Sequence, residues 1–298
     1  MNADTALETG LPGTMNGPAA GIIIKEMVRR AMAFIAANRM TFEAKEKHVD
    51  YKTARDFVTD VDVGAQEIYR RMIAESFPGY GVVAEEEGLS TSCSIPGENI
   101  WFTVDPLDGT KAFIRRQSTG IGTMISLVRN NVVIAACVGD VMTREIYYYR
   151  PDSDKVHRFS WNDTLHEELS IKPGSIKDEY ILLGDDPRGL SPVISEITGR
   201  GLMFKSMEVS SGSIGIKMAR LWKGEVGAVV IASGMTTPWD WNPIAGISAK
   251  LGFAVLMRFQ RAWEVSPLRP IKMIVKIPND IIVIHHSRVD EFIKRFNS

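Results

Sequence analysis

An apolar segment that ends in two aspartates constrains this chain more than any other feature of its sequence. Residues 100–104 form a β-prone run, and Asp105 and Asp108 follow it with Pro106 between them. Because proline fixes its own φ and lacks an N–H group, we expect the hydrogen-bond ladder of this strand to stop at Pro106. The sequence thus predicts a buried strand that delivers two carboxylates to one place. Such a strand end suits a hard cation and a phosphate, although Asp, Pro and Gly are also ordinary residues of surface turns.

The 298-residue chain has a globular composition, with 45% hydrophobic and 24% charged residues. Its length fits one large domain or two smaller units that share a core. The net charge of -1 offers no basic surface, so we predict neither a nucleic acid polymer nor a membrane as a partner. The sequence contains no apolar run of the roughly 20 residues that span a bilayer, and no signal-peptide pattern. Two cysteines, Cys93 and Cys137, fit a reducing compartment, and we expect a cytoplasmic protein.

The spacing of apolar residues predicts helices and strands that do not alternate strictly. Residues 1–20 are predicted to be a flexible tail and residues 21–38 an amphipathic helix. A second helix is expected to start near Asp60 and Asp62, either of which could cap it. Residues 121–149 have the pattern of an antiparallel meander. This mixture favours an α+β or layered α/β fold over a doubly wound sheet.

The second half of the chain follows a polar stretch, and a soft boundary is expected between residues 165 and 166. A helix is predicted within residues 209–224, opened by the serines and glycine of residues 210–213. Another helix is predicted from Asn242 to Leu251, with Pro243 at its first position, where proline is tolerated.

Carboxylates recur at the ends of apolar segments or strict turns in four places, at Asp62, Glu85–Glu86, Asp105/Asp108 and Asp240. Buried carboxylates must be neutralised by protons, by basic partners or by cations. Few cationic residues lie in or near these motifs, and Lys52 and Lys111 are the obvious ones. Oxygen ligands without His or Cys favour Mg²⁺, Mn²⁺ or Ca²⁺ over zinc. Spacing alone does not establish that the four places meet.

Three of these segments resemble the signatures of the inositol monophosphatase family. They are Glu85–Glu86, residues 105–110 (Asp-Pro-Leu-Asp-Gly-Thr) and Trp239–Asp240 with Ala245–Gly246; residues 56–62 resemble the family's upstream segment. The order and separations fit, and the resemblance covers residues 22–296. The family belongs to the magnesium-dependent, lithium-sensitive phosphatase superfamily that includes fructose-1,6-bisphosphatase.

The resemblance implies a layered αβαβα sandwich, fructose-1,6-bisphosphatase-like, with two or three Mg²⁺ ions, or Mn²⁺, at its centre. Residues 21–165 would form an N-terminal α+β half that carries most metal ligands, and residues 166–298 a C-terminal α/β half that completes the site. The implied activity is hydrolysis of a small phosphorylated substrate, a polyol or sugar phosphate, by a metal-activated water. Relatives are often homodimers, and we expect the same here.

The resemblance also implies roles for individual residues. Glu85, Asp105 and the carbonyl of Leu107 would hold one ion; Asp105, Asp108 and Asp240 would hold a second; Asp62 and Glu86 would support a third, weaker site. Glu85, Thr110 and Asp62 would be catalytic, with Glu85 and Thr110 orienting the attacking water. The substrate-binding residues would be Asp108, Gly109, Thr110, Lys111, Gly212, Ser213 and Asp240.

The substrate is left open by departures from the inositol-specific pattern. Ser233 stands where those members carry a glutamate that contacts substrate hydroxyls, and Val209 stands where an arginine is usual. Residues 210–213 and 236–240 are somewhat closer to relatives that hydrolyse 3'-phosphoadenosine 5'-phosphate, and residues 111–114 to histidinol-phosphate relatives. An inactive regulatory or binding homologue is the alternative from another class. A Ca²⁺-stabilised structural domain lacks support because no EF-hand spacing occurs.

Overall fold

The computed structural model describes residues 11–13, 15–48, 56–162, 164–172, 174–184, 191–199, 203–259 and 262–297. The helices of this described part are α1 (Gly17–Ala37), α2 (Asp60–Ser76), α3 (Thr110–Ile114), α4 (Pro192–Gly199), α5 (Ile214–Trp222), α6 (Pro238–Lys250) and α7 (Val289–Asn297). None of them is long and apolar enough to cross a lipid bilayer.

The strands form two large sheets and two small two-stranded sheets. Their bounds are β1 (Ala44–Lys47), β2 (Asp56–Thr59), β3 (Gly81–Ala84), β4 (Ser90–Thr91), β5 (Ile100–Asp108), β6 (Gly122–Arg129), β7 (Val132–Asp140), β8 (Glu145–Tyr149), β9 (His157–Ser160), β10 (His166–Glu168), β11 (Tyr180–Leu183), β12 (Ser206–Val209), β13 (Ala228–Ile231), β14 (Gly234–Thr236), β15 (Phe253–Phe259), β16 (Ala262–Ser266), β17 (Val275–Ile277) and β18 (Ile281–His285).

The larger sheet has the order β10-β9-β8-β7-β6-β5-β3-β4, and the smaller one has the order β12-β11-β13-β18-β15-β16. The two-stranded sheets are β1-β2 and β14-β17. In the larger sheet β3 and β5 are parallel and the other neighbours are antiparallel. In the smaller sheet β11 is parallel to both β12 and β13, and the remaining pairs are antiparallel. This mostly antiparallel pairing agrees with the expected α+β character.

Five layers follow from the way the helices cover these sheets. Helices α1 and α2 pack on one face of the larger sheet, and α5 and α6 lie between the two sheets. The outer face of the smaller sheet packs against α4 and α7, through side chains such as Ile194 and Phe292. The predicted αβαβα sandwich is therefore confirmed.

The central strand β5 is buried along its whole length because helices cover both of its faces. Phe102 and Val104 pack in the cluster with α1 and α2, whereas Trp101 packs in the cluster with α5 and α6. Alternate side chains of a strand point to opposite faces, which explains why both faces of this segment carry large apolar residues.

The prediction for the helix around Pro243 was wrong. Helix α6 begins at Pro238, so Pro243 lies inside it rather than at its first position. Thr237 caps this helix, and Pro238 occupies the first turn, where the missing N–H group costs nothing. Pro243 leaves the carbonyl of Trp239 without its helical N–H partner, a loss that the helix tolerates near its start.

The N-terminal prediction also needs adjustment. Helix α1 begins at Gly17, four residues before the predicted start, with Asn16 accepting a hydrogen bond from the Ala19 N–H at 2.9 Å. Residues 1–10 and Thr14 of the expected tail, and Lys52, lie outside the described residues. The larger sheet extends to Glu168 in β10, just past the expected boundary; the division into halves stays a prediction.

Candidate active site

A bulge near the end of β5 positions the first two carboxylates. Asp105 pairs with Met124 and Asp108 with Gly122, so the intervening Pro106 and Leu107 are accommodated without ladder bonds. The Leu107 N–H instead donates to Asp105 Oδ1 at 3.1 Å. The expected stop of the strand at Pro106 was therefore wrong, because the bulge spares the proline and pairing resumes at Asp108.

The N-terminus of α5 holds Asp108. The N–H groups of Ile214 and Gly215 donate to Asp108 Oδ1 and Oδ2, at 3.0 and 2.8 Å, and the Ser213 hydroxyl also donates to Oδ2. Ser213 Oγ accepts from the Ile216 N–H at 2.9 Å and so caps the helix. The first turn of a helix carries partial positive charge, which stabilises a carboxylate there. Ser213 is fully buried behind Asp108 and is not in the cavity lining.

Asp240 lies in the first turn of α6. Its N–H donates to Thr237 Oγ1 at 3.3 Å, and the Thr237 hydroxyl donates to Asp240 Oδ2 at 2.7 Å. Carboxylate oxygens of Asp105, Asp108 and Asp240 lie within 4.8 Å of one another. Residues far apart in the sequence, from two different layers, therefore meet at one point.

Glu85 and Glu86 follow β3, the parallel neighbour of β5. The Glu85 N–H donates to the Val104 carbonyl at 3.2 Å, which places Glu85 beside the end of β5. Gln66 of α2 fixes the next residue, since its side chain bonds both the N–H and the carbonyl of Glu86, at 2.9 and 3.0 Å. Lys47 Nζ contacts Glu85 Oε1 at 3.1 Å and Glu86 Oε1 at 2.7 Å.

Asp62 reaches the site through Thr110. The Thr110 hydroxyl is 2.9 Å from Asp62 Oδ1 and 3.1 Å from the Leu107 carbonyl, either of which can accept its proton. Asp62 also forms a capping box at the start of α2, where its Oδ2 accepts from the Thr59 N–H at 2.8 Å. Thr59, rather than Asp60 or Asp62, is the N-cap residue, and Asp62 is fully buried behind Thr110.

Buried carboxylates in this region have raised pKa values. Burial, reinforced by the charges of Glu85, Asp108 and Asp240, holds the pKa of Asp105 well above its usual range. Burial also raises the pKa of Asp62 to about 6 and that of Glu86 to about 7. Burial raises the pKa of Asp108, while hydrogen bonds from Ser213, Gly215 and Ile214 and the Lys217 charge oppose the rise. The protein thus compensates the negative charge of these carboxylates only in part, and a buried set of such oxygen donors fits a divalent cation.

One cavity of about 330 Å³ opens onto these groups. The predicted site residues in its lining are Glu85, Asp105, Leu107, Asp108, Gly109, Thr110, Lys111, Gly212 and Asp240. Gly109 and Gly212 have positive φ angles, and a Cβ on either would come within 2.3 and 2.5 Å of the Gly120 carbonyl oxygen. Only glycine permits this close approach, which brings the start of α3 and the turn before α5 together. We call Glu85, Asp105, Asp108 and Asp240 the carboxylate cluster.

Several residues of the site were missed by the sequence analysis. Lys47 contacts both glutamates in the part of the chain that the structure describes, whereas Lys111 lies exposed in the cavity wall. Lys217 is buried and donates to the Gly184 carbonyl at 3.0 Å. Nothing in the sequence places Lys47 beside Glu86, because the contact depends on the β1–β2 pairing. For Thr59 and Thr237 a signal existed, since each precedes an aspartate by three residues, the spacing of a helix cap.

The fold and this cavity together define a layered αβαβα sandwich with an acidic central site. A sequence model of the inositol monophosphatase family matches residues 19–255; the chain belongs to that family and is a phosphoric monoester hydrolase. The inositol-1-monophosphatase of Bacillus subtilis is 24% identical over 234 residues, which cover 74% of this chain and 78% of that protein. The Nus factor SuhB of Escherichia coli is 30% identical over 119 residues, 40% of this chain and 42% of SuhB.

Solved structures agree on the fold. The IMPase of Thermotoga maritima superposes with a TM-score of 0.68 at 18% identity, covering 91% of this chain and 94% of that one. An IMPase/NADP phosphatase in complex with Mg²⁺ and phosphate gives a TM-score of 0.68 at 18% identity, covering 92% and 93% of the two chains.

Proposed function

We propose that this phosphatase is a Mg²⁺-dependent phosphomonoesterase that hydrolyses a small polyol or sugar phosphate. The observation that carries the proposal is the cavity whose lining combines the carboxylate cluster with Thr110 and Lys111. Acidic groups able to hold cations and a hydroxyl able to orient water therefore lie together where a phosphate group could enter.

Two ions fit the donor groups. Glu85, Asp105 and the Leu107 carbonyl would hold one, and Asp105, Asp108 and Asp240 would hold the other. All-oxygen ligands suit Mg²⁺, with Mn²⁺ as an alternative. When bound, such ions lower the pKa of a coordinated water and offset negative charge on the phosphoryl group.

Thr110 and Glu85 would orient the attacking water. With its proton donated to Asp62 Oδ1, the Thr110 hydroxyl presents its lone pairs as acceptors for a hydrogen bond from that water. The Glu85 carboxylate would accept the second hydrogen bond. Asp62 would act through Thr110, by fixing the direction of its hydroxyl, and is in this sense a positioning residue.

Backbone amides at the start of α3 would bind the phosphate. The first N–H groups of a helix have no intrahelical partner, and Gly109 and Thr110, at the start of α3, both line the cavity. Gly212 would allow the substrate to approach the turn before α5. Phosphoryl transfer depends mainly on positioning and charge stabilisation, so no covalent intermediate on the protein is required.

The substrate would be small and anionic. Lys111 in α3 and Arg115, which directly follows this helix, both contribute to the cavity wall. The B. subtilis relative supports a polyol phosphate, and the IMPase/NADP phosphatase supports a nucleotide. The Ser233 N–H donates to Asp280 Oδ1 at 2.7 Å, and Ser233 offers no carboxylate for substrate hydroxyls. 3'-Phosphoadenosine 5'-phosphate and histidinol phosphate remain the alternative substrates.

Phosphate release from a substrate panel tests the proposal. The panel comprises inositol 1-phosphate, histidinol phosphate, fructose 1,6-bisphosphate and 3'-phosphoadenosine 5'-phosphate, each assayed with Mg²⁺, with Mg²⁺ plus Li⁺, and with a chelator. We expect Mg²⁺-dependent, Li⁺-inhibited release, and we expect Asp105→Asn to lower it by about 10³-fold or more while the circular dichroism spectrum is unchanged. Full activity in Asp105→Asn, or in chelator, would contradict the proposal.

The same assay addresses the regulatory or binding alternative, which the E. coli relative named Nus factor SuhB keeps open. A protein of that class would release no phosphate from any member of the panel. The homodimer implied by the family resemblance stays a prediction, and sedimentation velocity would test it.

A further inference from the structure

Lys47 carries a positive charge into the part of the site where the family resemblance implies a third, weaker metal. Its side chain is 18% exposed, and its Nζ lies 3.1 Å from Glu85 Oε1 and 2.7 Å from Glu86 Oε1. The side chains of these partners are 16% and 4% exposed, so the contact is not a solvated surface ion pair. Charge-assisted hydrogen bonds of this length are the strong ones.

Both sides of this contact are held by secondary structure. Lys47 is the last residue of β1 and pairs with Asp56 of β2, so its backbone is fixed by a ladder. Glu86 is fixed by the two hydrogen bonds from Gln66, which is itself buried. The backbones that carry the two groups are therefore held in place, and the ammonium lies between the two carboxylates with little access to solvent.

Lys47 also lies where a cation would approach Glu86 from outside. Glu85 lines the 330 Å³ cavity and also a neighbouring cleft of about 490 Å³, and Lys47, Glu86 and Trp239 are part of the lining of that second cleft. A divalent cation bound to Glu86 would compete with the ammonium for Oε1 or bind the other oxygen of the same carboxylate, and in either place it would be repelled by the ammonium at close range.

We propose that Lys47 takes the place of a third divalent cation, so that each chain binds two ions rather than three. The inference rests on the proposed metal-dependent function and specifies how many ions serve it. Lys47 supplies one positive charge to Glu85 and Glu86 whether or not metal is present, and the carboxylate cluster retains the two sites that need external ions.

Direct counting of bound Mn²⁺ tests this inference without reference to catalysis. Equilibrium dialysis, with free Mn²⁺ followed by electron paramagnetic resonance, should give two ions per wild-type chain. Lys47→Met, which keeps the length of the side chain and removes its charge, should give three. Lys47→Arg keeps the charge and should give two. Lys45→Met is the matched control on the same strand, where Lys45 is exposed and pairs opposite Val58; it should also give two.

Circular dichroism checks that each variant is folded, and Lys47→Gln replaces Lys47→Met if the latter is not. Three ions in the wild-type chain, or two in both folded neutral variants, would overturn the inference while leaving the proposed function intact. A wild-type chain that binds no Mn²⁺ and releases no phosphate would instead overturn the proposed function, and the inference with it.

Discussion

At the scale of single residues, the site is organised around hydrogen bonds that fix each oxygen before any ligand arrives. Asp108 accepts from three donors of α5, and Asp62 accepts from Thr59 and Thr110. Such prior orientation is what makes electrostatic stabilisation effective, because the groups need not reorganise during the reaction. Buried residues behind the cavity wall thus orient, through hydrogen bonds, the side chains that line the cavity.

Thr110 offers the sharpest residue-scale prediction. Thr110→Val keeps the shape but removes the hydroxyl that bonds Asp62 and would orient water; we expect kcat to fall by about 10²- to 10⁴-fold, with KM little changed. Thr110→Ser should retain most activity. Asp62→Asn should lower kcat less, since it acts through Thr110. Steady-state kinetics measure all three.

Asp60→Asn is the control for Asp62, because Asp60 is exposed and its Oδ1 accepts from the Glu43 N–H at 2.9 Å. An asparagine can still accept that bond, and activity should be unchanged. Equal losses in Asp60→Asn and Asp62→Asn would contradict the role given to Asp62.

A second residue-scale prediction concerns the charges at the cavity wall. Lys111→Gln and Arg115→Gln should each raise KM for the best substrate of the panel by about tenfold, the effect of losing roughly 1.4 kcal/mol of binding, with kcat less affected. Arg116→Gln is the control, since Arg116 is exposed and is not part of the cavity lining. A KM that responds to Arg116 as strongly as to Arg115 would point to a general surface-charge effect.

At the scale of elements, helix starts account for most of the site. Asp62 lies in the first turn of α2, Asp240 in the first turn of α6, and Asp108 accepts bonds from the first turn of α5. The partial positive charge of these helix ends acts in the same direction as a bound cation. This arrangement stabilises the buried carboxylates although apolar cores surround them.

The cap of α6 gives an element-scale prediction. Thr237→Val removes the hydroxyl that bonds both the Asp240 N–H and the Asp240 carboxylate, and should cost about 1 kcal/mol of unfolding free energy. For a chain of this size that corresponds to a fall in melting temperature of roughly 2–4 °C. Weaker Mn²⁺ binding should accompany it. Thr237→Ser should preserve both properties, and a Val variant as stable as the wild-type chain would show that the cap contributes little.

Much of this element structure could be predicted from the sequence, and the misses have physical reasons. Strand β3 and helices α2 and α5 follow from apolar spacing and nearby breakers, since those signals are local. The start of α6 was predicted at Asn242–Pro243 because proline is common in the first turn of a helix. Thr237 and Pro238, a capping residue followed by a proline, are the stronger start signal. That Asp105 and Asp240 lie close together could be predicted only from the family resemblance, because no local pattern in the sequence encodes a contact between distant segments.

At the scale of the whole molecule, the charge of the site links metal binding to stability. In the metal-free protein Asp62 and Glu86 have pKa values of about 6 and about 7, above the ordinary 3.8 and 4.5. The folded chain therefore binds more protons than the unfolded chain between about pH 4.5 and pH 7, and these groups destabilise it as pH rises. Each could cost up to roughly 3 kcal/mol above pH 7.

We therefore expect the rise in melting temperature on adding Mg²⁺ to grow between pH 5 and pH 7.5, because the ions offset charge that appears in this range. Burial lowers the pKa values of His157 and His285, which makes the protein more stable as pH rises through the same range. Their effect cancels when melting with Mg²⁺ is compared with melting in chelator at each pH. Glu86→Gln should make the Mg²⁺-induced rise in melting temperature depend less on pH. A rise that does not change with pH in the wild-type chain would contradict this account.

The contacts between Asp108 and α5 also bear on how fast ions could come and go. The N–H groups of Ile214 and Gly215 are bonded to the carboxylate rather than to solvent, so Asp108 can turn away only by breaking both hydrogen bonds. Local opening of this kind sets a time scale for hydrogen exchange at those two amides. The residence time of an ion at Asp108 would then follow the breaking of these bonds, and slow exchange of the Ile214 and Gly215 amides would accompany slow release.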